Sequence, residues 1–275
     1  MPQTETTQQL RQWYIFHDGT LLLERHHEAD GDTYHIPCSP VSQPPLATDG
    51  KAHTVLMDDG RTVMALEAGQ AVDEHDEQWL PVGLRNSYSY LTLADYQAAG
   101  KAYQILFWDK HSRYCPACGT PTEQHTPIMK RCPTCGYELY PPIATAIIVL
   151  VRRGDEILLV HARNFRGTFY GLVAGFLEAG ETLEQCVERE VKEETGLNIK
   201  NITYFASQPW PYPSGLMVGF FADYDSGEIK LQDDELSAGA FYSRDNLPEL
   251  PQKLSIARRL IDYWLEHGEG EERHF

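Results

Sequence analysis

The chain has 275 residues, 42% hydrophobic and 11% aromatic, enough apolar side chain for two globular cores and more length than one domain of ordinary size needs. A formal net charge of −17 weighs against a broad electrostatic hold on nucleic acid, because surfaces that neutralise phosphates are basic, although metal ions and a few arginines can reverse the field at one site. No run of 18 apolar residues exists and the opening MPQTETTQQLRQW is too polar for a signal peptide, so the expectation is a soluble, cytoplasmic chain with no membrane partner.

Residues 1 to about 90 carry strand and hairpin signals. WYIF precedes the turn Asp18-Gly19, and HTVLM and RTVMALE flank Asp58-Asp59-Gly60. A helix is predicted from Leu93 to Trp108, capped by Thr92, with Tyr96, Tyr103, Leu106 and Phe107 at helical spacing. This part carries no catalytic motif.

The next segment holds four of the six cysteines, as Cys115-Pro-Ala-Cys118-Gly and Cys132-Pro-Thr-Cys135-Gly, two matching knuckles 13 residues apart. Four thiolates so spaced predict a closed, structural zinc site, one ion per subunit, with no open position for catalytic water. The alternative, two disulfides, is disfavoured in a reducing compartment. Ribbons of this kind can bind nucleic acid, but the neighbouring Lys130 and Arg131 read as solvated, and Cys38 and Cys186 as ordinary residues.

Beyond the ribbon come a β-branched run from Ile143 to Val151, a turn at Arg153-Gly154-Asp155, a second run from Ile157 to Val160, a strand-like Leu216 to Tyr224, another near Ala240 to Ser243, and an amphipathic helix from about Ser255 to Leu265. Mixed strands with helices outside them fit an α/β class and an α/β/α sandwich. The division expected is 1–110 for a β-rich N-terminal domain, 111–140 for the ribbon and 141–275 for the catalytic domain.

Between these runs lies GFLEAGETLEQCVEREVKEETGL, residues 175–197. Thr182 and Gln185 make a capping box and Gly196 a C-terminal cap, so a helix is predicted from Leu183 to Thr195. Its apolar stripe of Leu183, Cys186 and Val187 continues as Glu190 and Glu194, with Glu193 beside them, and so puts carboxylates on the face that packs inward. Clustered, half-buried carboxylates repel one another and resist desolvation unless a cation compensates, and a hard divalent metal suits them. A solvated face accounts for Glu184, Glu188 and Lys192, the last two as a favourable i,i+4 pair, but not for Glu190 and Glu194.

Gly175, Glu181 and the run Arg189-Glu190-Val191-Lys192-Glu193-Glu194-Thr195-Gly196-Leu197 fill every fixed position of the Nudix box, and the chain resembles that family of hydrolases. The resemblance implies hydrolysis of a diphosphate linked to another group with magnesium or manganese, Glu190 and Glu194 as metal ligands, Glu193 or Glu194 as the base for the attacking water, and Arg189 and Glu181 as supporting residues. Bound metals neutralise phosphate charge and acidify water, which such a reaction needs.

Just downstream, Ser207-Gln208-Pro209-Trp210-Pro211-Tyr212-Pro213-Ser214 sets three prolines and two aromatics into what reads as one rigid loop able to present flat rings. A bland surface loop and a polyproline ligand are the alternatives. The stretch is similar to the SQPWPFPxS signature of the NADH pyrophosphatase subgroup, which also carries a four-cysteine ribbon before its catalytic domain. Tyr212 stands for the signature's phenylalanine, and Gly215 for its final serine, which removes one side-chain hydrogen bond.

This resemblance implies cleavage of NAD(H) to AMP and nicotinamide mononucleotide, removal of NAD caps from RNA 5′ ends, and a homodimer. It implies substrate contacts for Gln208, Pro209, Trp210, Pro211, Tyr212, Pro213, Ser214 and Gly215, with Trp210 stacking on a base and Phe176 as a second face. Tyr140 would pack on the nicotinamide across the dimer interface, and Ala257 and Arg85 would also touch substrate. Glu235 and the carbonyl of Ala174 would complete the catalytic metal shell. The competing function, a non-catalytic nucleotide sensor or RNA-binding regulator on the same scaffold, predicts lost box glutamates, and none is lost.

Overall fold

The structure, a computed structural model, describes residues 10–46, 50–73, 75–163, 167–232 and 234–267. The first nine residues of the polar N-terminal stretch lie outside these. Contacts divide the chain into two units, Met1–Pro142 with Pro211–Ser214, and Ile143–Trp210 with Gly215–Phe275. Among the described residues no helix is long and apolar enough to cross a membrane.

In the first unit, β1 (Leu10–His17), β2 (Thr20–Glu28), β3 (Gly31–His35), β4 (Cys38–Pro40), β5 (Ala52–Leu56), β6 (Thr62–Glu67) and β7 (Trp79–Gly83) form one sheet. Its order is β3-β2-β1-β6-β5, with β4 paired to β1 and β7 to β2. WYIF is apolar throughout because β1 is covered on both faces: Tyr14 and Phe16 enter one cluster, Trp13 and Ile15 another. Asp18 and Gly19 both take positive φ, the backbone a tight β1–β2 turn needs, and a Cβ on Gly19 would meet Tyr103 Oη at 3.2 Å.

Helix α1 (Leu93–His111) begins where expected, with the Thr92 side chain accepting from the Asp95 amide. Of the residues read at helical spacing, Tyr96 and Leu106 are buried and Tyr103 packs against the same cluster, but most of the buried face is made of smaller residues. Ala98, Ala99, Ala102, Ile105 and Leu106 pack on the sheet while Phe107 is half-buried, because small side chains let the helix approach closely. After α1, β8 (Glu123–Thr126), β9 (Met129–Arg131) and β10 (Glu138–Leu139) make a three-stranded ribbon.

Lys130 corrects the expectation of a solvated residue. It is only 5% exposed, and its Nζ lies 2.7 Å from Asp109 of α1 and donates to the Asp109 carbonyl at 3.0 Å. His53 reaches the same carboxylate at 3.3 Å. Burial opposes ionisation of Asp109, but hydrogen bonds from His53 and Lys130 prevail and hold its carboxyl well below the usual range.

The second unit contains β11 (Ala144–Arg153), β12 (Glu156–Ala162), β13 (Val173–Phe176), α2 (Leu183–Thr195), β14 (Asn198–Trp210), β15 (Gly215–Ser226), β16 (Leu236–Ser243) and α3 (Ile256–His267). The sheet order is β14-β15-β11-β12-β16, with β13 on β11, and β11 runs parallel to β15. Ile147, Val149 and Val151 of β11 pack with Cys186, Val187 and Val191 of α2, while Ile148 and Leu150 pack with Ile256, Leu260, Ile261 and Trp264 of α3. The α/β/α sandwich thus explains why β11 is a continuous apolar run: each successive side chain enters the opposite core.

The proline-rich stretch is not one loop. Ser207, Gln208, Pro209 and Trp210 finish β14, opposite Val218, Met217, Leu216 and Gly215 of β15, and the turn consists of residues 211–214. β14 is the last strand in the sheet order, where a proline costs no ladder bond on its free edge.

Candidate active site

Helix α2 is fixed at both ends by its own sequence. Thr182 Oγ1 accepts from the Gln185 amide at 3.2 Å, Gln185 Oε1 accepts from the Thr182 amide at 2.9 Å, and Gly196 at φ 75° closes the C-terminus. Lys192 does not serve Glu188. Its Nζ donates to Gly196 O and Asn198 Oδ1, both at 3.0 Å, where a cation also complements the exposed carbonyls of the helix end.

The inward face carries Glu190, 9% exposed, and Glu194, 5% exposed, whereas Glu193 reaches solvent. Glu190 lies against β13: a Cβ built on Gly175 would sit 1.9 Å from the Glu190 carboxyl carbon, so a larger residue there must displace the Glu190 carboxylate. Burial, against the pull of Arg189, raises the Glu190 carboxyl, and burial reinforced by Glu190 and Glu235 pushes Glu194 up to about 8. Two buried acids that resist ionisation are a site that wants a cation, and their hard oxygen donors suit a divalent metal.

Arg189 organises the rest. Its Nε and Nη2 hold both oxygens of Glu181 at 2.6 and 3.0 Å, Nη1 donates to Glu190 at 2.9 Å and Glu193 at 3.0 Å, and Nη2 also reaches the Phe176 carbonyl at 3.0 Å. That bidentate bond lowers the Glu181 carboxyl to about 2. Burial pushes the Cys186 thiol up to about 11, and its Sγ lies 3.4 Å from the Phe176 carbonyl. The link from Arg189 to the β13 backbone has no local sequence signal.

The remaining residues of the second unit are distributed around this centre. Ala174 is half-buried on β13 and Phe176, at its end, is 66% exposed. Glu235 is exposed, and its carboxylate does not join Glu190 and Glu194 in a cluster as tight as 4.8 Å. Gln208 donates to Leu254 O at 3.0 Å, Trp210 is half-buried, and Ala257 is buried in the first turn of α3. A Cβ on Gly215 would meet Trp210 O at 3.0 Å and Ala144 O at 3.3 Å, so a side chain here, such as the signature's serine, is a tight fit that needs the hairpin to give by a few tenths of an ångström.

The others belong to the first unit. Tyr140 is 55% exposed and donates to Glu138 at 3.1 Å. Pro211 and Ser214 are buried, and Ser214 Oγ donates to the Pro142 carbonyl. Tyr212 is half-buried beneath the Arg85 guanidinium, 4.9 Å from the ring centroid, and Pro213 is exposed.

The four cysteines converge. Sγ atoms of Cys115 and Cys135 are 3.6 Å apart, of Cys118 and Cys132 3.4 Å, and of Cys118 and Cys135 3.6 Å, and all four ligand atoms lie within 4.8 Å of one another. Four thiolates about 2.3 Å from one zinc ion would stand at about this separation, so the quartet fits a tetrahedral metal. Both knuckles repeat one backbone pattern: Gly119 N donates to Cys115 O and Gly136 N to Cys132 O, and both glycines have φ 75°. Among the described residues it is the one His/Cys/Asp/Glu group this tight.

The NUDIX domain family model matches residues 141–265, and that of the NADH pyrophosphatase-like rudimentary NUDIX domain matches residues 10–108. "NAD-capped RNA hydrolase NudC" of Pseudomonas aeruginosa (strain LESB58) is 42% identical over 229 residues, 82% of this chain and 80% of that protein. The protein so named in Haemophilus influenzae (strain PittEE) is 46% identical over 208 residues, covering 74% and 78%. That of Chromobacterium violaceum (strain ATCC 12472) is 36% identical over 262 residues, covering 95% and 94%.

Sandwich, box helix and family matches define a hydrolase of the Nudix class, a class that works with a divalent metal. The chain belongs to that family, in its branch of NADH pyrophosphatases and NAD-capped RNA hydrolases.

Proposed function

We propose that the protein hydrolyses the diphosphate of NAD(H), giving AMP and nicotinamide mononucleotide, and removes NAD caps from RNA 5′ ends. The observation that carries this reading is the pair of buried glutamates, Glu190 against the Gly175 backbone and Glu194 one helical turn on, in a box with all its residues in place. The names of the relatives supply the dinucleotide and the capped RNA.

Glu190, Glu194, Glu235 and the Ala174 carbonyl would hold magnesium or manganese. The metal, when bound, neutralises diphosphate charge and acidifies water. Arg189 fixes the Glu190 carboxylate and, through Glu181 and the Phe176 carbonyl, the strand beside it. The proton of the attacking water passes to Glu193 or Glu194, the first in solvent and gripped by Arg189, the second buried.

In the catalytic unit Phe176, Gln208, Pro209, Trp210, Gly215 and Ala257 are assigned to substrate. In the first unit Arg85, Tyr140 and residues Pro211, Tyr212, Pro213 and Ser214 are assigned the same role. The cysteine quartet holds one structural zinc per subunit, its closed sulfur shell leaving no position for water. The division into 1–110, 111–140 and 141–275, the homodimer and the cytoplasmic location belong to the same reading.

The test is hydrolysis of NADH, NAD+, ADP-ribose and an NAD-capped RNA by the purified protein with Mg²⁺ and with Mn²⁺, products resolved by chromatography. AMP and reduced nicotinamide mononucleotide from NADH support the reading, and competition between NADH and the capped RNA ranks the two tasks by kcat/KM.

A further inference from the structure

The first unit has no catalytic motif, yet the turn 211–214, taken from within the proline-rich signature, belongs to it by contact. The attachment is specific. Pro211 packs on α1 at Gly100, where an added Cβ would meet Pro211 Cγ at 2.9 Å, so only glycine leaves room for the ring. Tyr212 Oη and Tyr96 Oη of α1 share a hydrogen bond. The Arg85 guanidinium covers the Tyr212 ring and Ser214 is tied to the Pro142 carbonyl.

The Tyr212 hydroxyl is the group by which this chain departs from the phenylalanine of its subgroup, and Tyr96 is its partner. Burial raises both phenols, so both stay protonated at neutral pH and one donates to the other. Tyr212 and Pro213 line an open cleft with Gly83, Arg85, Asn86 and Tyr103. A ring beneath a guanidinium on a cleft wall offers a flat, electropositive surface, and its angle depends on what fixes the ring from behind.

We propose that Tyr96 is a positioning residue for substrate recognition: with Gly100 it sets, through the Tyr96–Tyr212 hydroxyl pair, the orientation in which Tyr212 and Pro213 meet the dinucleotide. The inference rests on the proposed function. Tyr96 acts through Tyr212 and contacts no reacting atom, so its loss weakens substrate affinity and spares the chemical step.

Tyr96→Phe, Tyr212→Phe, the double variant and Gly100→Ala are compared with the wild type, in the full chain with zinc, by steady-state kinetics on NADH, by equilibrium NADH binding without divalent metal, and by thermal melting. Removing the hydroxyl pair is expected to raise KM and the binding constant about fivefold in Tyr96→Phe, with kcat changed less than twofold. The double variant matches the single one, because both lose the same bond. Gly100→Ala, which displaces Pro211, raises KM in the same way.

Unchanged KM and binding in Tyr96→Phe, whatever its melting temperature, overturn the proposal, as does a double variant whose loss is the product of two independent losses. A wild type that cleaves no dinucleotide defeats the proposed function instead. The binding arm still decides the inference in that case: NADH bound about fivefold more weakly by Tyr96→Phe upholds it, and equal binding, or none by the wild type, overturns it.

Discussion

The Glu190 carboxylate occupies the space that a side chain on Gly175 would fill, with its carboxyl carbon 1.9 Å from the position of that Cβ. The box glycine is therefore a steric requirement of the glutamate opposite it. Gly175→Ala is expected to swing Glu190 out of place and lower kcat/KM about 100-fold while the melting temperature falls by only a few degrees, since the displaced group is the far end of a flexible side chain. Kinetics beside a thermal melt check this, and an active alanine variant would show that Glu190 need not lie against β13.

Arg189 holds Glu181 bidentately and touches Glu190, Glu193 and the Phe176 carbonyl, a set of bonds that a lysine ammonium cannot reproduce. Arg189→Lys keeps the charge and is expected to cost about 10- to 100-fold in kcat/KM, with weaker metal affinity by calorimetry.

Metal binding is coupled to protons. In the metal-free protein burial, Glu190 and Glu235 push Glu194 up to about 8, so at neutral pH this group is protonated and a metal must displace that proton. Affinity for Mn²⁺ is expected to rise with pH up to about 8 and then level off, with proton release visible as a dependence of the binding heat on buffer ionisation enthalpy. The linkage sign for stability follows: the raised pKa means the folded chain binds more protons than the unfolded one between the ordinary carboxylate range and about 8, so metal-free stability falls with rising pH across that window. Glu194→Gln removes the Glu194 share of both effects and leaves that of Glu190, whose carboxyl burial also raises.

The ribbon is joined to α1 by Lys130 and Asp109. Truncating Lys130 to alanine leaves the Asp109 charge half-buried beside His53 and is expected to cost about 3 kcal/mol of stability by denaturant melts. Asp109 is held below its ordinary pKa, so its contribution is present above the unfolded carboxylate range and is lost as pH falls through the lowered value. Removing zinc with a chelator is expected to loosen the same region, read as thiol titration of Cys115 and Cys132, which are otherwise buried.

What the sequence made legible was what local chemistry decides. Thr182, Gln185 and Gly196 specify α2 without help from any other element, and the 3.6-residue period alone turns Glu190 and Glu194 inward. The knuckles are likewise written in their own spacing. Pro209 reads as a loop residue until the sheet order shows that β14 is at an end, and Lys130 reads as a surface residue until Asp109, 21 positions earlier, is placed opposite it. The alanine face of α1 escapes a search for bulky stripes because close approach to the sheet, not side-chain size, buries it. The tight space at Gly215 escapes for a similar reason: it arises from two backbone carbonyls that only the finished hairpin and β11 bring together.

The central claim is that the Glu190–Glu194 face of α2 performs NAD(H) hydrolysis. The most direct measurement is the single-turnover rate of NADH cleavage by the wild type and by Glu194→Gln at saturating Mn²⁺, with folding verified by melting. The account predicts AMP and reduced nicotinamide mononucleotide from the wild type and a rate at least about 1,000-fold lower for the variant, the scale expected when a catalytic carboxylate is removed. Cleavage by a well-folded Glu194→Gln at the wild-type rate would contradict it.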